Sequence, residues 1–192
     1  MIFSLLKAGA RLVLLVLRRW EIRGAENLPA TGGVVLVANH VSYWDPVAII
    51  CAFKKRQVFF MAKYELFKIP LVGYAVRSSG AFPVRRDVTD RNAVRTALRL
   101  LQAGEVVGLF PEGTRSHTGD MLKPHLGAAM IALKAGTPIV PVAVSGTRGV
   151  FSKIAVHVGS PIRFQSMTKA TKEDLEIISD RIMDEIALLL GS

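Results

Sequence analysis

"VVLVANHVSYWDPVAII", residues 34–50, decides how the chain is read. The apolar run Val34–Ala38 shows no alternation, as expected of a strand covered on both faces. Directly beyond it stand His40 and Asp45, five positions apart. Two readings compete. In one, Asp45 is the N-cap of a helix that opens at Pro46, and His40 is a polar strand end. In the other, the two side chains do chemistry together. An imidazole accepts a proton from an alcohol, and a carboxylate on its other ring nitrogen fixes the tautomer and stabilises the imidazolium. No GxSxG nucleophile motif occurs in the chain, so such a dyad would act directly on a substrate hydroxyl.

Working outward, the same pattern of short apolar runs and longer amphipathic stretches recurs. Strands are expected at Val34–Ala38, Gln57–Ala62, Val106–Phe110, Ile139–Val144 and Ile154–Val158, and another before Arg85 and Arg86. Helices are expected at Pro46–Lys54, Tyr64–Val76, Thr89–Ala103, Gly127–Ala135 and Lys172–Leu190. The third ends at Gly104, a residue that tolerates a left-handed cap. The last opens with Thr171, gathers Glu173, Asp174 and Glu176 near its start, and lines up Leu175, Ile178, Ile182, Ile186 and Leu189 on one face. This alternation predicts an α/β layered domain, with a central mixed, mostly parallel sheet flanked by helices.

Composition bounds the function. With 192 residues, one domain is expected, and 51% apolar residues argue against disorder. Lysine and arginine number 25 against 15 acids, a net charge of +10. Such an excess implies anionic partners: nucleic acid, membrane lipid, phosphorylated substrates or an acidic carrier protein. Nucleic acid is disfavoured, because aromatics are only 7% of residues and several sit in apolar runs such as Val58–Phe60 rather than among the basic ones. Cys51 is the sole cysteine, which excludes an intramolecular disulfide and a cysteine zinc site. Its apolar neighbours predict a buried thiol.

The N-terminal stretch "MIFSLLKAGARLVLLVLRRW" is interrupted by Lys7 and Arg11, and so falls short of the roughly 20 apolar residues a spanning helix needs. At about 100° per residue, Lys7, Arg11 and Arg18 form one stripe. Leu5, Leu6, Leu12, Val13, Val16 and Leu17 cover much of the rest, and Leu14 falls beside the stripe. Residues 1–20 are therefore expected to be an amphipathic membrane-surface helix, with Trp20 at the headgroup boundary, ahead of a domain at 21–192. The competing expectation is a helix packed on its own domain.

Two further segments carry chemistry-bearing side chains. "SSGAFPVRRD" (78–87) ends a strand with adjacent arginines, and "LFPEGTRSHTG" (109–119) follows a strand with a Pro-Glu-Gly turn, then Thr114 and Arg115. Arginine's planar fork suits phosphate, and glycine permits close backbone approach. In order along the chain, "NHVSYWD" (39–45), "GAFPVRR" (80–86), "FPEGTRS" (110–116) and "TPIVPVAVSG" (137–146) resemble the four blocks of the glycerolipid acyltransferases, most closely the bacterial 1-acylglycerol-3-phosphate acyltransferases. The resemblance runs from about residue 20 to 165. Spacing from Gly80 favours Arg86 over Arg85 as the family arginine.

The resemblance implies that His40 removes a proton from the 2-hydroxyl of lysophosphatidate, and that the oxygen attacks the thioester of acyl-CoA or acyl-carrier protein. Asp45 would hold His40. Arg115 and Arg86 would anchor the acceptor phosphate, with Gly113 and Thr114 beside it, and Glu112 would order Arg115 or the acceptor hydroxyls. The fourth block reads as buried strand or acyl groove. Neither metal nor cofactor is implied. The enzyme would work at the cytoplasmic face of a membrane, peripheral or monotopic. The alternatives are another lysophospholipid or glycerol-3-phosphate as acceptor, or a non-catalytic module that binds anionic lipid.

Overall fold

The computed structural model describes residues 2–17, 19–86, 88, 90–149, 152–164 and 170–191, with side chains in the first helix described from Lys7 to Val16. Leu5, Leu6, Leu17, Arg18 and Thr89, on which expectations above rest, lie outside those descriptions.

The apolar run at 34–38 is the middle of the molecule. It forms β2 (Val34–Ala38), buried at all five positions. β2 is flanked by β5 (Val106–Leu109) and β6 (Ile139–Ser145), both parallel to it. On the β5 side follow β3 (Val58–Lys63) and β4 (Phe82–Val84), also parallel. On the β6 side β7 (Ala155–Val158) runs antiparallel, and β1 (Glu21–Arg23) closes that edge. The order is thus β1-β7-β6-β2-β5-β3-β4, the expected mixed and mostly parallel sheet.

Alternate residues of β2 feed two cores, as the period of a strand requires. Val34, Leu36 and Ala38 pack with Leu14 of α1 (Ile2–Leu17) and with Ala48, Ile49 and Ala52 of α2 (Trp44–Ala52). Val35 and Val37 face α4 (Arg91–Gln102), α5 (Gly127–Ala135) and α6 (Lys172–Leu190). The chain therefore leaves β2 on one face of the sheet and leaves β5 on the other. That divergence opens a crevice beyond the carboxyl ends of two neighbouring strands, where α/β sheets bind ligands.

Local chemistry explains the element boundaries. Thr171 caps α6 in a reciprocal box with Asp174, and Asp90 caps α4 through the amides of Asn92 and Ala93. Gly104 has φ of +83°, as its cap position asks. Three expectations need correction. The helix expected at Tyr64–Val76 is two pieces, a 3-10 turn at Tyr64–Lys68 and α3 (Val72–Ser78). Pro70 lies between them, lacks an N–H and disfavours helix in the residue before it. The edge strand β1 went unread, because three residues carry no period. Asp45 is not an N-cap: α2 opens at Trp44, Tyr43 holds the cap position without a side-chain bond, and Pro46 is the third helical residue.

The first helix gives its described cations partners within the protein. Lys7 Nζ donates to the Phe53 carbonyl and Arg11 Nη1 to the Cys51 carbonyl, each at 2.7 Å. These carbonyls belong to the end of α2, where unpaired C=O groups and the helix dipole attract cations. Burial there lowers the Lys7 pKa and raises that of the neighbouring buried thiol, Cys51. Leu14, beside the stripe, is fully buried, and Trp20 is buried too, with the Arg11 guanidinium 5.3 Å from its ring centre. Leu12, Val13, Leu15 and Val16 are left exposed. The described cations of the stripe are thus held by the protein's own main chain, and the apolar face points outward. Among the described residues no helix is long and apolar enough to cross a membrane.

The α6 anchor separates cap from core. Ile186→Ala, at a fully buried site, is expected to cost about 2–5 kcal/mol in urea unfolding. Thr171→Ala is expected to cost about 1 kcal/mol. Equal losses would mean that α6 is held by its cap rather than by its buried face.

Candidate active site

The carboxyl ends of β2, β3, β4 and β5 deliver one residue set to the crevice. His40 stands two residues past β2 and is 7% exposed; Asp45, in the first turn of α2, is fully buried. His40 Nδ1 lies 2.8 Å from Asp45 Oδ2. The same oxygen accepts the backbone N–H groups of Val41 and Ser42, both at 2.7 Å. A carboxylate with that set of donors holds the imidazole proton on Nδ1 and leaves Nε2 as the basic nitrogen. The His40 ring stacks on Phe110 at 3.9 Å and 13°, and Phe110 stacks on Phe60.

Glu112 is buried at 2% exposed, and it forms no ion pair with Arg115 among the described residues. Its Oε1 accepts from the backbone N–H of His40 at 2.8 Å, and its Oε2 from that of Leu122 at 2.9 Å. Burial pushes its pKa up, against the two amide hydrogen bonds. At the other end of the same residue's main chain, Ser116 donates its N–H to the His40 carbonyl at 2.8 Å. Glu112 thus holds the main chain at His40. A neighbouring residue, Asn39, escaped sequence reading: its buried amide exchanges two hydrogen bonds with the main chain of Val144, tying the end of β2 to β6. A buried asparagine at a strand end was the available signal.

A cavity of about 480 Å³ opens over His40, lined also by Tyr43, Lys63, Arg86, Gly113, Thr114, Arg115 and His125. The expected residues Arg86, Gly113, Thr114 and Arg115 thus converge on it. Arg85 does not: its guanidinium lies 5.2 Å from the Tyr64 ring centre. Desolvation lowers the Arg86 pKa, Glu65 opposes this, and Arg115 adds to it. The Arg115 guanidinium lies over Tyr43, 3.7 Å from the ring centre, an arrangement that orients the fork without neutralising it. Gly113 has φ of +68°, and a β-carbon there would meet the His125 ring at 2.6 Å. Lys63 is a third cation that the sequence reading missed. It ends β3 as the arginine pair follows β4, so a basic strand end was its signal.

A second cavity, about 350 Å³ and mostly apolar, shares Arg86, Gly113 and His125 with the first and runs along Met61, Leu109, Phe110 and Ile131. The fourth sequence block lines neither, since β6 is buried in the sheet.

A parallel-sheet crevice holding a His–Asp pair under a basic cavity matches a known class. A family model described as acyltransferase matches residues 19–145, and the chain belongs to the acyltransferase family. It is 33% identical over 189 residues to the 1-acyl-sn-glycerol-3-phosphate acyltransferase of Streptococcus pneumoniae, covering 92% of this chain and 70% of that one. It is 31% identical to the Bacillus subtilis protein of the same name, covering 91% and 96%. Among solved structures it superposes on the 1-acyl-sn-glycerophosphate acyltransferase PlsC of Thermotoga maritima with a TM-score of 0.76 and 28% identity, over all of this chain and 80% of that one.

Glu112→Gln tests the positioning role. One of its two acceptor oxygens becomes an NH₂ facing a backbone N–H. Turnover is expected to fall at least about tenfold, with little change in KM for the acceptor. A variant that raises KM and spares turnover would return Glu112 to the substrate.

Proposed function

We propose that this enzyme moves a fatty acyl chain from an acyl thioester to the 2-hydroxyl of 1-acylglycerol-3-phosphate, making phosphatidate. The observation that carries the reading is the His40–Asp45 pair at the base of a cavity that holds Lys63, Arg86 and Arg115 and no acidic lining residue. His40 Nε2 takes the hydroxyl proton as the oxygen attacks the thioester carbonyl. Asp45 stabilises the imidazolium. The tetrahedral intermediate collapses, the carbon–sulfur bond breaks, and the thiolate recovers the proton from His40. General-base assistance contributes about 10²–10⁴-fold, and alignment of the two substrates supplies more.

The three cations hold the acceptor phosphate, Arg115 through its two-pronged fork. The apolar cavity receives the acyl chain, and its adjacency to the basic one at Gly113 supports that assignment. The donor is acyl-CoA or acyl-carrier protein, and the scheme uses no metal or other cofactor. The outward leucines and valines of α1 lie in the bilayer surface on the cytoplasmic side, as a peripheral or monotopic attachment. α1 touches α3, around which Ile69, Leu71, Val72 and Tyr74 are exposed. Those side chains extend the same apolar surface.

The direct test is purified protein with acyl-CoA and lysophosphatidate in detergent, read as free thiol and phosphatidate. His40→Ala is expected to lower transfer at least ~100-fold with an unchanged unfolding curve, and Asp45→Asn to act in the same direction through the tautomer. Near-normal turnover in folded His40→Ala would sink the mechanism.

Arg115→Lys separates phosphate binding from chemistry. It is expected to raise KM for lysophosphatidate at least about fivefold, because one ammonium does not replace a bidentate fork. KM for the thioester should change less. Equal losses with phosphorylated and non-phosphorylated acceptors would make Arg115 a structural residue that packs on Tyr43.

A further inference from the structure

We infer that the cavity between α1 and the turn joining α2 to β3 binds the phosphate headgroup of an anionic membrane lipid, at a place apart from the acceptor's. The inference rests on the docking of α1 proposed above. The cavity, about 690 Å³, is lined by Lys7, Arg11, Lys54, Lys55 and Arg56, with Ala8 and Gln57. Five cations share it and no carboxylate lines it.

Three of the five are fixed by neutral partners. Lys7 and Arg11 hold the last carbonyls of α2. Arg56 donates Nη1 to the Pro29 carbonyl at 2.8 Å and Nη2 to that of Gly32 at 2.9 Å. Carbonyls orient these groups without cancelling their charge. Lys54 and Lys55 are exposed and form no ion pair among the described residues. A concave site with fixed cations at its floor and mobile ones at its rim calls for an anion that reaches in from outside.

Continuity with the apolar face selects a lipid. Ala8 lines the cavity, and Leu12 and Val16 follow it at one-turn intervals along α1, both exposed. A bilayer presents acyl chains to those side chains and phosphate to the lysines in a single surface. An acidic soluble protein would satisfy the charge and leave the apolar side chains in water. The site is also remote from the chemistry: the turn at Lys54–Gln57 precedes β3, whereas His40 follows β2 at the opposite end of the parallel strands.

The experiment compares the parent with K54Q/K55Q and L12D/V16D. Each is sedimented with phosphatidylcholine vesicles and with vesicles in which about a third of the lipid is phosphatidylglycerol, and each is assayed on a short-chain, detergent-soluble acceptor. The parent is expected to bind both vesicles, and the anionic ones more tightly. K54Q/K55Q should bind phosphatidylcholine as the parent does, lose roughly tenfold in affinity for the anionic vesicles, and keep its turnover. L12D/V16D should leave both vesicles. An undiminished anionic preference in K54Q/K55Q overturns the headgroup site, and leaves the docking of α1 standing if L12D/V16D still detaches. Retention of L12D/V16D on both vesicles overturns the docking reading and this one with it. If K54Q/K55Q instead loses affinity for an acidic carrier protein with vesicle binding unchanged, the cavity belongs to the acyl donor.

Discussion

One carboxylate oxygen organises this site. Asp45 Oδ2, wholly removed from solvent, accepts the imidazole N–H of His40 and the backbone N–H groups of Val41 and Ser42. A carboxylate so placed is costly unless donors surround it, and three from one short segment converge on it. The segment is bent around that oxygen, which fixes how β2 ends and how α2 begins. Glu112 and Ser116 then grip the His40 main chain from the β5 side, one at its N–H and one at its C=O. The side chain is held by its own segment and the main chain by a distant one.

Much of this was legible beforehand, for identifiable reasons. An apolar run without alternation implies a strand covered on both faces, and β2 is that strand. Four segments that together, and in order, resemble the acyltransferase blocks brought His40, Arg86 and Arg115 into one expected site, and all three line one cavity. What failed were properties that depend on which N–H donors lie nearby. Asp45 before a proline has the signature of an N-cap, but three donors upstream outcompeted the helix amides. Glu112 beside Arg115 suggested an ion pair, but the nearest donors were two backbone N–H groups. Pro70 was a local signal, and it was overlooked inside an otherwise helical stretch.

α1 shows how a sequence pattern is right in period and misleading about partners. Its described cations, Lys7 and Arg11, share one face. A cation stripe next to apolar residues suggests headgroups, yet the end of a neighbouring helix offers the same partial negative charge at close range and in fixed geometry. Lys7 and Arg11 take that offer. The exchange turns the apolar side outward and leaves the exposed Lys54 and Lys55 in one cavity with Lys7 and Arg11.

The stack of His40 on Phe110 and Phe60 has a consequence for where protons travel. Held face-on by the aromatic ring and edge-on by Asp45, the imidazole has given up the ring flip that would let Nδ1 and Nε2 exchange places. In the proposed transfer, Nε2 alone would then collect the proton from the entering oxygen and return it to the departing sulfur. For the proposed transfer, both atoms are bonded to one carbon at the tetrahedral stage, so a single nitrogen reaches each in turn. The cycle then needs no relay to solvent: the site ends a turnover in the protonation state in which it began.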